Sequence, residues 1–135
     1  MAARLDDLNA SPCAVRSQMS VSAVPHRLQL WLLGLRGRSL VLEGGGLSSL
    51  PERSRLEVGI PIVGPRSILC ALSLHGPGEV GETILRGWMR MLSHPVDGGV
   101  SLRFEGRSSN SRCGAGESEV AHDLLALIAQ RSQLR

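Results

Sequence analysis

The residues best suited to chemistry in this chain are arginines and serines at alternate positions of one short segment. In residues 100–107 (VSLRFEGR), polar and apolar side chains alternate more regularly than elsewhere in the sequence. Because successive side chains of a strand point to opposite faces, Ser101, Arg103 and the flanking Arg107 are expected on one polar face. Guanidinium groups form paired hydrogen bonds with phosphate oxygens, and hydroxyls add single ones. The segment therefore predicts a surface that binds phosphate groups.

A second pair of arginines precedes this strand. Arg86 and Arg90 lie four residues apart in a segment whose apolar residues recur at helical spacing, namely Val80, Ile84, Trp88 and Met91. This spacing predicts a helix between the turn at residues 76–78 and Pro95, and the helix would carry both arginines. A basic helix beside a polar strand face would add positive charge to the same surface.

Composition favours an anionic partner over catalysis. All 15 basic residues are arginine, the formal net charge is +3 and the sequence pI is about 9.3. The four histidines are scattered, no Cys/His pair has metal-ligand spacing, and a chain without lysine has no lysine-containing phosphate loop. We therefore expect a protein that is not an enzyme and has no metal and no cofactor. Three cysteines without a Cys-x-x-Cys pair indicate free thiols in a reducing compartment.

The type of nucleic acid follows from what the polar face lacks. Hydroxyls and guanidinium groups with almost no aromatic side chains suit an A-form duplex, whose shallow minor groove presents phosphates and 2′-hydroxyls. Single-stranded RNA is bound with aromatic stacking platforms, so it fits this face poorly. The alternative interpretation is an ordinary half-exposed strand with its polar residues toward water. The pattern by itself leaves both open.

The remaining pattern predicts one α+β domain at residues 25–135, preceded by a mobile arm at residues 1–24. The domain would be a small mixed sheet with helices on one face. Its predicted elements are a helix at Pro25–Leu35 (a strand is the alternative), strands at residues 39–43, 56–62 (interrupted at Pro61), 67–74 and 100–107, and a terminal helix at residues 117–133. The longest apolar run, residues 28–35, is too short to span a membrane.

Residues 67–134 resemble the dsRNA-binding silencing suppressors of the tombusvirus and aureusvirus group. The local match is VSLRFEG at residues 100–106, followed by a small-residue Ser/Gly segment and an amphipathic final helix. A Gly-rich turn, a Trp-containing helix and Gly98-Gly99 precede it in the same order. The sequence departs from the family in having no lysine and only Trp31 in its N-terminal half. We expect Trp31 to be a core residue, so no strict measurement of duplex length is predicted.

The resemblance implies a homodimer in the host cytoplasm whose joined sheets form a concave RNA-binding surface. It places the dimer contact on the last helix and the last strand, so the helix residues Val120, Leu124, Leu127 and Ile128 would lie there. The implied function is sequestration of duplex RNA, which would suppress host RNA silencing. The predicted RNA-binding residues are Arg103, Arg107, Ser101, Ser108, Ser109, Arg86, Arg90 and Arg112.

The competing hypothesis is a small homodimeric adaptor that binds a protein and has no nucleic-acid role. The two hypotheses differ in where the arginines lie. An RNA-binding protein would gather them on one sheet face, whereas an adaptor would scatter them and expose an apolar patch.

Overall fold

Alternation of apolar and polar residues organises most of this chain into a single antiparallel sheet. The computed structural model describes residues 14–21, 25–35, 38–42, 50, 52–77, 81–94, 99–108 and 115–133. In chain order the elements are β1 (Ala14–Val21), α1 (Pro25–Leu35), β2 (Arg38–Val41), β3 (Arg55–Val58), β4 (Ile62–Val63), β5 (Ser67–His75), β6 (Thr83–Ser93), β7 (Val100–Ser108) and α2 (Ala115–Gln133).

The sheet has the strand order β1-β7-β6-β5-β3-β2, and the two-residue β4 pairs with β5 beside β3. Every described pairing is antiparallel. The α+β class with helices on one face is confirmed, because α1 and α2 share one core cluster with the inner face of the sheet. The prediction of a mixed sheet is wrong, since no parallel pairing occurs among the described strands.

The core forms where the inner face of the sheet meets the two helices. Phe104 of β7, the single phenylalanine, is fully buried together with Leu102 and with the inward residues of β5. Leu28 and Leu32 of α1 and Ile128 of α2 close over them. Complete burial of each such side chain contributes on the order of 1.5–3 kcal/mol. The period-two pattern of β5 and β7 is therefore explained by one buried and one solvated face.

The predicted helix around Arg86 and Arg90 is wrong, because this segment is the central strand β6. Its inward positions are Leu85, Gly87, Met89 and Met91, all at alternate residues. Gly87 leaves one of these positions without a side chain, so the period of two is hidden in the sequence. The segment pairs with β5 on one side and with β7 on the other. These pairings outweigh the helical spacing of its apolar residues, so it forms a strand. The Trp-containing helix on which the family resemblance partly rested is therefore absent.

The predicted N-terminal arm is also wrong for residues 14–21. These residues form β1 and pair with β7 along its length, from Ala14 opposite Arg107 to Val21 opposite Val100. Val15 enters the core, whereas Arg16, Gln18 and Ser20 are exposed. Ser17 occupies an inward position between Val15 and Met19, so the apolar periodicity of the strand is interrupted. Residues 1–13 and 22–24 lie outside the described residues.

The predicted dimer stripe on the last helix is buried within the chain itself. Leu124 and Ile128 are at most 1 % exposed, Leu127 is also buried, and Val120 packs partly buried against the same core. Helix α2 contacts β1 and β7, so its apolar face already has a partner in the same chain. Leu124, Leu127 and Ile128 are core residues and Val120 packs against them, so the prediction that this stripe forms a dimer contact is corrected.

Other predicted elements agree with the structure. Helix α1, strands β2, β5 and β7, the interruption between β3 and β4 near Pro61, and helix α2 all lie where the pattern placed them. Trp31 is partly buried against the core, as expected of a core residue. None of the helices in the described part of the chain has the length and apolar character needed to cross a membrane.

Gly87 and Gly106 mark a point where β6 and β7 approach unusually closely. The two residues are direct partners in the ladder. A Cβ built on Gly87 would lie well under 3.0 Å from the carbonyl oxygen of Glu105, and one built on Gly106 would be equally close to that of Arg86. Both oxygens belong to the backbone and cannot rotate away, so only glycine fits at either position.

Candidate functional site

Five exposed arginines on the neighbouring strands β1, β7 and β6 project from the outer face of the sheet, on the side opposite the helices. We call this surface the arginine face; it consists of Arg16 of β1, Arg86 and Arg90 of β6, and Arg103 and Arg107 of β7. All five are exposed. They share a face because strand register places them there: Arg16 lies opposite Glu105, next to the Arg103 and Arg107 positions of β7. The face therefore holds five positive charges and the single negative charge of Glu105.

The arginines of β6 and β7 form two directly opposed pairs. Arg86 faces Arg107, and Arg90 faces Arg103. The Cβ atoms of such partners are about 4.5–5.5 Å apart, and like charges at this spacing destabilise a sheet. The two pairs are four residues apart along each strand, which is roughly 13 Å. The folded chain thus concentrates repelling charge on one surface.

Trp88 and Glu105 occupy the centre of this arrangement, between the two arginine pairs. They are partners in the β6–β7 ladder. Trp88 is 50 % exposed, although it lies in the middle of the sheet. Its partner on the other side is the small Ala71 of β5. The arginines, Trp88 and Glu105 line one open depression on the outer face.

One hydrogen bond fixes the β1 side of the face. The Nη2 group of Arg103 donates to Oε1 of Gln18 at 3.3 Å. Both groups are exposed, so the bond orients the guanidinium without removing it from solvent. Ser20 and Ser101 are partners one step further along the same ladder and add hydroxyls beside Arg103.

The structure thus brings together five of the eight predicted RNA-binding residues. Arg86, Arg90, Arg103 and Arg107 lie on the arginine face, and Ser101 lies half-buried on the same side of β7. Ser108 does not, because it follows Arg107 and therefore points to the inner face, where it is 7 % exposed. An RNA contact through Ser108 is corrected on this ground. Ser109 and Arg112 lie outside the described residues.

Sequence reasoning missed Arg16, a member of the arginine face, and the exposure of Trp88 between its two arginine pairs. Arg16 lies in a segment assigned to the arm, and Trp88 was assigned to a helix stripe. The alternation Arg16, Gln18, Ser20 was the available signal for the first. No local signal distinguishes an exposed tryptophan from a buried one, and only the pairing of β6 with both neighbours places Trp88 outward.

A second polar cluster lies where β3, the end of β5 and the start of β6 meet. The hydroxyl of Thr83 is 3.2 Å from Nδ1 of His75, and Nε2 of His75 is 3.3 Å from Oε2 of Glu57 without forming an aligned hydrogen bond. Hydroxyl, imidazole and carboxylate in this order resemble the parts of an activated nucleophile. However, the His75 side chain is mostly buried, and the depression lined by the arginines includes neither Thr83 nor His75. Because its imidazole is largely enclosed, the cluster is better understood as a structural contact between β3, β5 and β6.

Metal and thiol chemistry have little basis in the described part of the chain. No group of three or more His, Cys, Asp or Glu side chains within it is arranged to hold a metal ion. Cys70 is a free, fully buried cysteine whose Sγ lies 3.4 Å from the carbonyl oxygen of Gly59. Burial raises the pKa of the Cys70 thiol to about 11, so it is protonated near neutral pH. A protonated buried thiol is a poor nucleophile.

Comparison with known proteins does not identify a family. No protein-family model matches the sequence, and no curated protein matches it. Among solved structures, a protein from Nitrosospira multiformis has a TM-score of 0.47 at 18% identity, covering 89% of this chain and 96% of that chain. Ara h 8.0201 has a TM-score of 0.44 at 13% identity, covering 88% and 93%. A protein from Thermus thermophilus has a TM-score of 0.37 at 13% identity, covering 88% and 96%. Likeness at these scores assigns neither family nor function.

Proposed function

We propose that this protein binds double-stranded RNA through the arginine face. The observation that carries the proposal is the pairing of Arg86 with Arg107 and of Arg90 with Arg103. Like charges held opposite each other weaken the free protein, and a polyanion would relieve the repulsion. Residues that lower stability without improving packing are characteristic of functional surfaces.

A phosphate backbone suits this surface better than a small anion does. The arginines extend over three neighbouring strands and around an open depression, so several phosphates can be contacted together. Each guanidinium can form two hydrogen bonds with one phosphate. Contacts of this kind do not depend on base sequence, and their strength falls as salt rises because counterions are released.

Hydroxyl groups beside the arginines favour RNA over DNA in this proposal. Ser20 and Ser101 are cross-strand partners next to Arg103, and Ser73 is the partner of Arg86 on β5. A serine hydroxyl can exchange hydrogen bonds with a ribose 2′-hydroxyl, which DNA lacks. Binding of duplex RNA would withhold it from other proteins, and suppression of RNA silencing in a host cytoplasm is the biological role that we propose on this basis.

The homodimer also remains a proposal, now with a different contact. Because the stripe on α2 is buried, we propose that two copies pair through β1, which is an edge of the sheet among the described strands. A twofold axis perpendicular to the sheet would join two arginine faces into one surface. Size-exclusion chromatography with light scattering tests this, and a monomer at all concentrations would refute it.

The decisive experiment compares two charge reversals. Arg103→Glu changes the arginine face, whereas Arg27→Glu makes the same change on the exposed side of α1. Gel shifts with a 21-base-pair RNA duplex, the equivalent DNA duplex and single-stranded RNA, each at two salt concentrations, measure affinity. We expect salt-sensitive binding of duplex RNA that Arg103→Glu weakens at least tenfold and Arg27→Glu leaves nearly unchanged. Equal affinities for the two variants would overturn the proposed site, and absence of any preference for duplex RNA would favour the adaptor.

A further inference from the structure

We propose that Trp88 and Glu105 form a binding site for an unpaired guanine base at the centre of the arginine face. This inference rests on the proposed function, because the surrounding arginines would hold the backbone on either side of the base. It differs from that function in requiring a base that is not paired in a duplex.

The exposure of Trp88 is the first observation. The residue lies on the central strand β6 with paired strands on both sides, yet half of its surface is accessible. The small Ala71 is its partner on β5, so no large side chain covers it from that strand. An exposed indole beside positive charges is the arrangement that binds single-stranded nucleic acid, since every base has a face that can stack on it.

The position of Glu105 is the second observation, and it selects the base. Glu105 lies directly opposite Trp88 on β7 and is exposed. A carboxylate repels phosphate, so its placement among five arginines suits a part of the ligand that donates hydrogen bonds. An ionised carboxylate has two acceptor oxygens and no donor. The N1–H and N2–H groups of guanine form a matching pair of parallel donors, whereas the other three RNA bases have no such adjacent pair on that edge.

The arginines supply the third observation. Arg86 and Arg90 lie two residues before and after Trp88, and Arg103 and Arg107 lie in the same way around Glu105. A base placed on Trp88 would therefore have guanidinium groups on both sides for its neighbouring phosphates. In a duplex, the N1–H and N2–H groups of guanine are paired with cytosine and both ring faces are stacked. The site can accept only an unpaired guanine, such as one in an overhang, a bulge or a single strand.

The test uses single-stranded RNA nonamers of uridine with one central guanosine or one central adenosine. We expect the native protein to bind the guanosine nonamer about tenfold more tightly than the adenosine nonamer, with quenching of tryptophan fluorescence. Trp88→Leu should lose the quenching and weaken binding of both nonamers. Glu105→Gln should remove the preference for guanosine and keep the quenching. Leu92→Ser, a change at another exposed apolar residue of β6, should leave both properties unchanged.

The outcomes separate this inference from the proposed function. A blunt RNA duplex measured in parallel reports on the proposed function alone, because it offers no unpaired base. Equal affinity of the native protein for the two nonamers, or unchanged affinity in Trp88→Leu, overturns the base site even if the blunt duplex binds. Thermal denaturation of each variant establishes that a lost preference does not reflect unfolding.

Discussion

Arg90 and Arg103 lie directly opposite each other on β6 and β7, so the sheet holds two guanidinium groups on neighbouring strands. Arg103 also donates to Gln18 of β1. Repulsion between opposed like charges lowers the folding stability of the protein when no ligand is bound. Stability and binding should therefore respond in opposite directions when the charge of one partner is reversed.

The substitution Arg90→Glu separates the effect on stability from the effect on RNA binding. It replaces a like-charge pair with an opposite-charge pair and should raise the free energy of unfolding by roughly 0.2–1 kcal/mol. The same change should weaken RNA binding and make the dependence of affinity on salt less steep. Urea denaturation and gel shifts measure the two effects. A variant that is both less stable and fully able to bind would contradict our account of the pair.

Gly87→Ala and Gly106→Ala should both destabilise the protein strongly. An added methyl group at either position meets a backbone oxygen of the neighbouring strand at less than 3.0 Å, so the β6–β7 ladder must open. Gly34→Ala in α1 is the matched control, since its Cβ meets nothing within 4 Å. The control should gain up to about 1 kcal/mol from helix propensity. Thermal melting of the three variants gives the comparison, and equal melting temperatures for all three would show that the close approach is absent.

Leu124→Ala tests the corrected role of the last helix. Because Leu124 is buried in the core, the change should lower the free energy of unfolding by roughly 2–5 kcal/mol. The oligomeric state of the folded fraction should not change. Light scattering and denaturant titration distinguish this result from that of an interface residue, whose loss would dissociate a dimer and leave the folded monomer stable.

Ionisation of Cys70 should account for part of the loss of folding stability at alkaline pH. Its pKa is raised from the ordinary value of 9.0 to about 11 in the folded protein, so the unfolded chain releases the thiol proton at lower pH. Stability from this group is complete below pH 9 and is lost as pH rises from about 9 toward 11.

The chain has no lysine and no tyrosine, so few other groups ionise in that interval. Denaturation of Cys70→Ala at pH 7 and at about pH 10, midway up that range, should show a smaller loss of stability with pH than the native chain shows. An equal loss in both proteins would remove Cys70 as the cause.

The sequence predicted those elements in which one face is consistently apolar. Strands β5 and β7 alternate without interruption, so their buried faces follow from the residue order. Strand β6 was missed because Gly87 has no side chain to mark the inner face, and β1 because most of its inward positions are only partly buried. Strand β1 pairs with β7, which is far away in the chain, and β6 pairs with its sequence neighbours β5 and β7; neither kind of pairing is contained in the pattern of the strand itself.

Part of the candidate site was predicted correctly, but from a secondary structure that the observed fold contradicts. Arg86 and Arg90 were grouped because residues four apart share one side of a helix, but residues four apart also share one face of a strand. The grouping therefore holds although the predicted helix does not exist. Ser108 was grouped with the RNA-binding residues wrongly, since a residue directly after Arg107 in a strand points to the opposite face. The centre of the site, Trp88 beside Glu105, depends on register between strands.

The pairing of β1 with β7 has a consequence for how the chain acquires its structure. Val21 meets Val100 and Ala14 meets Arg107, so well over half of the chain separates the partners. Contacts between such distant segments slow folding, because a long loop must close, at a cost in chain entropy, before the contacts contribute any stabilising free energy. During synthesis β1 emerges first and must remain unpaired until β7 leaves the ribosome. Completion of the sheet, and with it of the arginine face, therefore waits until β7 has been made.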